Sequence, residues 1–221
     1  MKICNHDTVI FLGDSVTDCD RSRGDNGEGG MGSNAYGGGY PRFFVSLFRV
    51  LHPEMNVRFL NKGCGGEQTR HVLARLQSDV LDYHPDVVTL CIGINDVWRG
   101  FDVPQIPGAG VDAQEYRANM VKIIEGILGE TKKLVLMTPY LIDRSPLEPM
   151  RLKMIEYGDI CKELGKQYGL PVIDLQALFE GLLEQGLTSY ELAGDRVHPH
   201  TTGHMAVTLK LMETFEETVK L

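Results

Sequence analysis

Val9-Ile10-Phe11-Leu12-Gly13-Asp14-Ser15-Val16-Thr17-Asp18 opens on an unbroken apolar run and ends on small polar residues. Such a run reads as a strand covered on both faces, the signature of a parallel sheet. Gly13 stops the strand, and Ser15 then stands at its C-terminal tip, where open α/β sheets gather their chemistry. Asp and Ser are also ordinary turn residues, so Ser15 needs partners elsewhere in the chain before it means more than a turn.

Outward from this strand the pattern repeats. A polar, glycine-dense loop is expected from about Thr17 to Gly39, then a helix from about Tyr40 to Leu51, with Pro41 in its first turn and Pro53 beyond its end. Val57 to Leu60 reads as a second strand that runs into the glycine turn Asn61-Lys62-Gly63-Cys64-Gly65-Gly66-Glu67-Gln68-Thr69. A helix from about Thr69 to Tyr83 places Val72, Leu76, Val80 and Tyr83 on one face. Asp86 to Ile92 is a third strand, broken by Gly93-Ile94-Asn95-Asp96, and a Pro/Gly loop is expected from about Trp98 to Val111. Asp112 is placed to cap a helix ending near Gly129. Leu134 to Met137 is a fourth strand. Met150, Met154, Tyr157, Cys161, Leu164 and Tyr168 form the core stripe of the next helix. Pro171 to Leu175 is a fifth strand, followed by a short helix to about Gln185, a loop holding Asp195 to Pro199, and a last helix from about Thr202 to Val219.

Strand and helix alternating in this way imply an α/β fold with helices on both faces of a parallel sheet. The expected architecture is a flavodoxin-like three-layer α/β/α sandwich with a five-stranded parallel sheet in the order 2-1-3-4-5. No repeat, linker or shift in composition divides residues 1–221, so one domain is expected. In this order strand 1 lies between strands 2 and 3, and Ser15, Gly66 and Asn95 meet at one edge of the sheet.

Composition narrows the function classes. The chain has 221 residues, 43% apolar and 24% charged, as an ordinary globular protein does. A net charge of −8 speaks against a nucleic-acid surface and for a small uncharged partner. No apolar run reaches the length of a membrane span. The first strand begins so early that no signal peptide fits before it, and a cytoplasmic location is expected. Five cysteines, odd in number and widely spaced, read as thiols and not as a disulfide framework. Gly27-Glu28-Gly29-Gly30-Met31-Gly32 matches G-x-G-x-x-G, but it lies far beyond the strand and opens no helix, so a dinucleotide site is rejected. No cofactor is expected.

A serine hydroxyl needs a base within hydrogen-bond reach to act as a nucleophile. His198 is the candidate base, and Asp195, three residues earlier, is placed to hold its other ring nitrogen. The chain order Ser, Asp, His is that of α/β-hydrolases, yet Gly13-Asp14-Ser15-Val16-Thr17 lacks the second glycine of their nucleophile elbow. Backbone N–H groups of Ser15 and Gly66 and the side-chain amide of Asn95 are candidate donors to an oxyanion. Asp14 and Asp96 read as acceptors for loop N–H groups, and Arg99 and Arg144 as solvated or loop-bracing.

Gly-Asp-Ser at 13–15, the Asn61 to Thr69 turn, Gly93-Ile94-Asn95-Asp96 and Asp195-Arg196-Val197-His198 resemble, in order, the four blocks of the GDSL/SGNH hydrolase superfamily. The resemblance implies Ser15 as nucleophile, Gly66 and Asn95 as oxyanion donors, and Asp195 and His198 as triad partners. Asn61-Lys62-Gly63, Ile92 to Arg99, Met137-Thr138-Pro139 and Pro149-Met150-Arg151 further resemble the intracellular bacterial acetylxylan esterases of that superfamily. That likeness implies a serine esterase that deacetylates sugars such as xylo-oligosaccharides. Trp98 reads either as packing or as a stacking platform for the sugar, since aromatics serve both. Gly194 departs from it, since a bulky aromatic is expected before the aspartate.

Three other readings are weighed. A short-chain lipid esterase or thioesterase would share the serine chemistry. A metal hydrolase is suggested by His198, His200 and His204, but the glutamate of H-E-x-x-H is missing. No metal is therefore expected. A binding module without catalysis would not need a triad. The exposed loops leave room for a homo-oligomer.

Overall fold

The computed structural model describes residues 1–23, 34–131 and 133–216. Five strands form one sheet: β1 (Thr8–Gly13), β2 (Arg58–Gly63), β3 (Val87–Cys91), β4 (Lys133–Met137) and β5 (Val172–Ile173). Their order is β2-β1-β3-β4-β5 and every pairing is parallel, as the alternation of strands and helices predicts. β1 is central. Its tip pairs in register with the tips of both neighbours, Gly13 standing opposite Gly63 and Cys91. The three loops that leave these tips therefore start side by side.

Around the sheet lie α1 (Ser15–Asp18), α2 (Tyr40–Leu51), α3 (Thr69–Ala74), α4 (Leu76–Asp79), α5 (Ile94–Asp102), α6 (Ala113–Glu130), α7 (Pro149–Tyr168), α8 (Leu175–Glu184), α9 (Ser189–Leu192) and α10 (Thr201–Thr214). α10 packs on α2 and α8, while α6 packs on α3 and α7. Val9 to Leu12 are all fully buried, which is why both faces of β1 had to be apolar. Phe11 meets Phe44 edge-on and stacks on Phe59, with ring centroids 5.6 and 6.3 Å away. Each such buried side chain stabilises the fold by about 2–3 kcal/mol through burial. No helix among the described residues is long and apolar enough to cross a membrane.

Several boundaries differ from the sequence reading. The helix expected from Thr69 to Tyr83 is split into α3, α4 and a 3₁₀ turn over Leu81–Tyr83. The break falls at Arg75, whose backbone (φ −104°, ψ 7°) leaves the α region while its guanidinium reaches the Gly13 carbonyl at 3.2 Å and pairs with Glu67 and Asp79. Helix α5 runs through the start of the expected Trp98–Val111 loop. Gly93 is its N-cap, and Ile94 and Val97 give it a buried edge. β5 is shorter than expected because Asp174 leaves the sheet to cap α8, accepting from the Ala177 N–H at 3.0 Å. α9 was not expected; Thr188 and Glu191 close it with a reciprocal capping box. One helical turn, α1, begins at Ser15 where a loop was expected soon after. The last helix, expected to run to Val219, ends at Thr214, with Phe215 as its C-cap and Glu216 in the left-handed region at φ 61°. The rejected Gly27–Gly32 motif lies outside the described residues.

Candidate active site

Gly13 can only be glycine. A Cβ there would sit 2.3 Å from Thr17 Oγ1 and 2.4 Å from the Cys91 carbonyl, so the chain turns tightly from β1 into α1. Asp14 caps that turn, its Oδ1 accepting from the Val16 N–H at 3.0 Å. Ser15 is thus the first residue of a helical turn, and its N–H belongs to the group a helix leaves without internal partners. Asn61 on β2 holds the next stretch: its amide donates to the carbonyls of Thr17 and Tyr36, and its Oδ1 accepts from the Gly63 N–H. Asp18 ties the two turns together. Its carboxylate accepts from the Gly65 N–H at 2.9 Å and pairs with Arg23 at 2.6 Å.

Ser15 Oγ lies 2.8 Å from His198 Nε2, and His198 Nδ1 lies 2.6 Å from Asp195 Oδ2. The other Asp195 oxygen accepts from the N–H groups of Val197 and His198 at 2.9 and 2.8 Å. Burial pushes the Asp195 carboxyl up, but the side-chain and backbone donors of His198 and the Val197 N–H outweigh it and hold the group below its ordinary range. An ionised Asp195 accepts a hydrogen bond from Nδ1–H, which leaves Nε2 with a lone pair facing the serine hydroxyl. Arg196, between the two, is in the left-handed region at φ 69°. That conformation costs about 1–2 kcal/mol. It is held by the Arg196–Asp143 ion pair at 2.6 Å and by the Ile142 N–H on the Arg196 carbonyl at 2.9 Å. Tyr140 OH donates to the Val197 carbonyl at 2.8 Å from below.

Gly66 adopts φ 78°, which favours glycine, and neither its N–H nor that of Ser15 is used in a hydrogen bond among the described residues. Asn95 is buried on α5. Its Nδ2 donates to the Glu67 carbonyl at 3.0 Å, so it is bound to the same turn as Gly66. Asp96 accepts from the Thr69 N–H at 3.0 Å and from the Thr69 hydroxyl. Asp14 and Asp96 both act as acceptors for loop N–H groups, as the sequence reading has it. Burial pushes the Asp14 carboxyl up to about 7 and the Asp96 carboxyl up to about 6.

The Trp98 ring stands 5.8 Å from the His198 ring. A cleft of about 270 Å³ opens beside Ser15 and His198, with Asp18, Cys19, Gly65 and His204 among its walls. Gly194 lies just outside the dyad and gives its N–H to His200 Nε2 at 2.9 Å. His204 is buried: its Nδ1 accepts from the Tyr40 N–H at 3.2 Å and its Nε2 faces Cys19 Sγ at 3.6 Å. Burial first, then the nearby His198 and His200, lower the His204 pKa to about 4. The histidines of the metal reading are therefore engaged separately, and no group of three or more His, Cys, Asp or Glu side chains among the described residues is placed to hold a metal ion.

A model of the GDSL-like lipase/acylhydrolase family matches residues 11–206. The chain belongs to that family. It is 39% identical over 205 residues, 93% of this chain and 92% of the other, to the acetylxylan esterase of Geobacillus stearothermophilus. The crystal structure of that enzyme, Axe2, superposes with a TM-score of 0.92 at 37% identity, covering 97% of this chain and 96% of that one. Catalytic mutants of Axe2 in which a serine, an aspartate or a histidine is replaced by alanine match equally well. An α/β hydrolase from the metagenome of Lake Arreo, LAE5, superposes with a TM-score of 0.93 at 32% identity, covering 97% of each chain.

Relative to the sequence reading, this family member brings together Ser15, His198 and Asp195, with Trp98 beside them and Gly66 and Asn95 joined through one turn. Two contributors were missed: Asp18 and Asn61 brace the turns, and both stand inside stretches quoted for other residues. Arg99, read as solvated or loop-bracing, is a brace: its guanidinium donates to Asn95 Oδ1 at 3.1 Å. A helical reading of residues 94–102 exposes that pair at once, because the two are four residues apart.

Proposed function

We propose that this chain is a serine esterase that removes acetyl groups from acetylated sugars, xylo-oligosaccharides foremost, through an acyl-enzyme on Ser15. The observation that carries the reading is the unbroken relay from Ser15 Oγ through His198 to Asp195, at 2.8 and 2.6 Å. Ser15 Oγ attacks the acetyl carbonyl while His198 Nε2 takes its proton, and Asp195 stabilises the imidazolium. The N–H groups of Ser15 and Gly66 and the free N–H of Asn95 receive the oxyanion. His198 gives the proton to the sugar oxygen as the ester bond to it breaks. It then takes a proton from the water that attacks the acyl-enzyme and returns it to Ser15 Oγ as the acyl bond breaks and acetate leaves.

The relatives named above support the acetyl specificity, and the half-buried Trp98 beside His198 offers the apolar face on which a sugar ring stacks. The five cysteines, all unpaired, suit a reducing cytoplasm. The test is Ser15→Ala. With acetylated xylo-oligosaccharides, kcat should fall by roughly 10⁴-fold or more while the circular-dichroism spectrum is unchanged. A folded Ser15→Ala protein with near-normal turnover excludes the mechanism.

A further inference from the structure

Asn95 and Arg99 lie one turn apart on α5, and their contacts decide how the Asn95 amide is turned. Arg99 Nη2 donates to Asn95 Oδ1 at 3.1 Å, and Asn95 Nδ2 donates to the Glu67 carbonyl at 3.0 Å. Rotated by half a turn, the amide would set its NH₂ against a guanidinium, which only donates, and its oxygen against a carbonyl, which only accepts. Both contacts would be lost together, so the orientation is fixed. Glu67 takes one of the two N–H bonds, and no other described group takes the second. That second N–H is the one left for a ligand.

Arg99 is itself held. It pairs with Asp102 on the same helix, and its guanidinium carbon sits 5.3 Å over the Trp98 ring. A charged donor on Oδ1 also polarises the amide and makes its N–H a stronger donor.

We infer that Arg99 is a positioning residue for acyl transfer. It acts through Asn95, locking the amide so that its free N–H meets the charge that develops on the substrate oxygen. This rests on the serine-esterase reading above. Two other roles for Arg99 predict different behaviour. A plain helix brace would change stability without a specific change in kcat. A sugar contact, made alongside Trp98, would change KM for sugar substrates and leave a small aryl acetate untouched.

The test measures kcat and KM on an aryl acetate and on an acetylated xylo-oligosaccharide for wild type, Arg99→Met, Arg99→Lys, Asn95→Ala and the double variant Asn95→Ala/Arg99→Met. Arg99→Met should lower kcat about 10-fold on both substrates, less than the roughly 10²–10³-fold expected for losing the whole donor in Asn95→Ala. KM should move by less than about 2-fold, because the interaction is made in the transition state. Arg99→Lys, which keeps a charged donor, should recover part of the loss. In the Asn95→Ala background the Arg99→Met change should move kcat by less than about 2-fold, since two residues acting as a unit are not additive. Equal losses in both backgrounds, an unchanged kcat in folded Arg99→Met, or an effect confined to KM for the sugar would each overturn the inference. If Arg99→Met does not fold, Arg99→Lys in both backgrounds makes the same comparison. Normal turnover by Ser15→Ala would fail the underlying reading, whatever Arg99 does. Additive Arg99 and Asn95 losses beside an inactive Ser15→Ala would fail only this inference.

Discussion

At the scale of single residues, Asp14 and His204 stand beside Ser15 and His198 and respond to pH in opposite directions. Asp14 is completely buried with Oδ2 unpartnered, and burial raises its carboxyl from 3.8 to about 7. The folded state therefore holds a proton that the unfolded state gives up, and this contribution to stability is full below pH 3.8 and lost as pH rises through 7. About three pH units correspond to roughly 4 kcal/mol. His204 has its ring lowered from 6.5 to about 4, mostly by burial. Here the unfolded state binds the extra proton. The contribution is full above pH 6.5 and is lost, by about 3 kcal/mol, as pH falls through 4. Urea unfolding at a series of pH values separates them. Asp14→Asn should gain stability relative to wild type between pH 4 and 8, and His204→Gln should gain relative to wild type between pH 6.5 and 4. Parallel wild-type and variant curves would show that these side chains do not titrate as their burial implies.

The elements that matter most are the turns after β1, β2 and β3. Each is fixed by one residue whose conformation or size is special, and Gly66 tests this directly. At φ 78° an alanine is strained by about 1–2 kcal/mol, yet its Cβ would meet no atom within 4 Å. Gly66→Ala should therefore lower Tm by only about 2–8 °C. If the strain rotates the peptide, the Gly66 N–H leaves the oxyanion site and kcat should fall by 10-fold or more. Unchanged kcat with the expected loss of Tm would remove Gly66 from the list of donors. These elements were not equally legible in the sequence. β1 and β4 show as apolar runs, and β3 as one interrupted only by Thr89, because both of their faces are covered. Asp195 and His198 were legible because their contact is local, within one turn. Helix α5 was not, since Gly93-Ile94-Asn95-Asp96 suits a turn as well as a helix start, and the Arg99–Asn95 bond exists only in the helix. The break at Arg75 was hidden for another reason. Arg75 binds the Gly13 carbonyl, far away in the chain, and periodicity carries no trace of such a contact.

At the scale of the whole molecule, the sheet order brings every candidate group to the carboxyl edge of β1 and its two neighbours. The cleft there is small, about 270 Å³, and open, and its walls mix Val16, Cys19 and Pro199 with Asp18, Asp20 and His204. This shape bears on which esters are turned over. A channel that buried the six additional methylenes of an octanoyl chain would stabilise its complex by about 5 kcal/mol at roughly 0.8 kcal/mol each. An open cleft with carboxylates in its wall supplies little of that, and it leaves part of a long chain in water. An acetyl group loses nothing by comparison. The rate constant kcat/KM on aryl esters should therefore fall steeply from acetate to butyrate to octanoate. Trp98→Ala should hurt an acetylated xylo-oligosaccharide more than an aryl acetate in kcat/KM, because the aryl acetate does not use the sugar subsite that the indole would line. Faster turnover of octanoate than of acetate would move the chain from sugar deacetylation to lipid or thioester hydrolysis, and the Ser15, His198 and Asp195 relay would serve either.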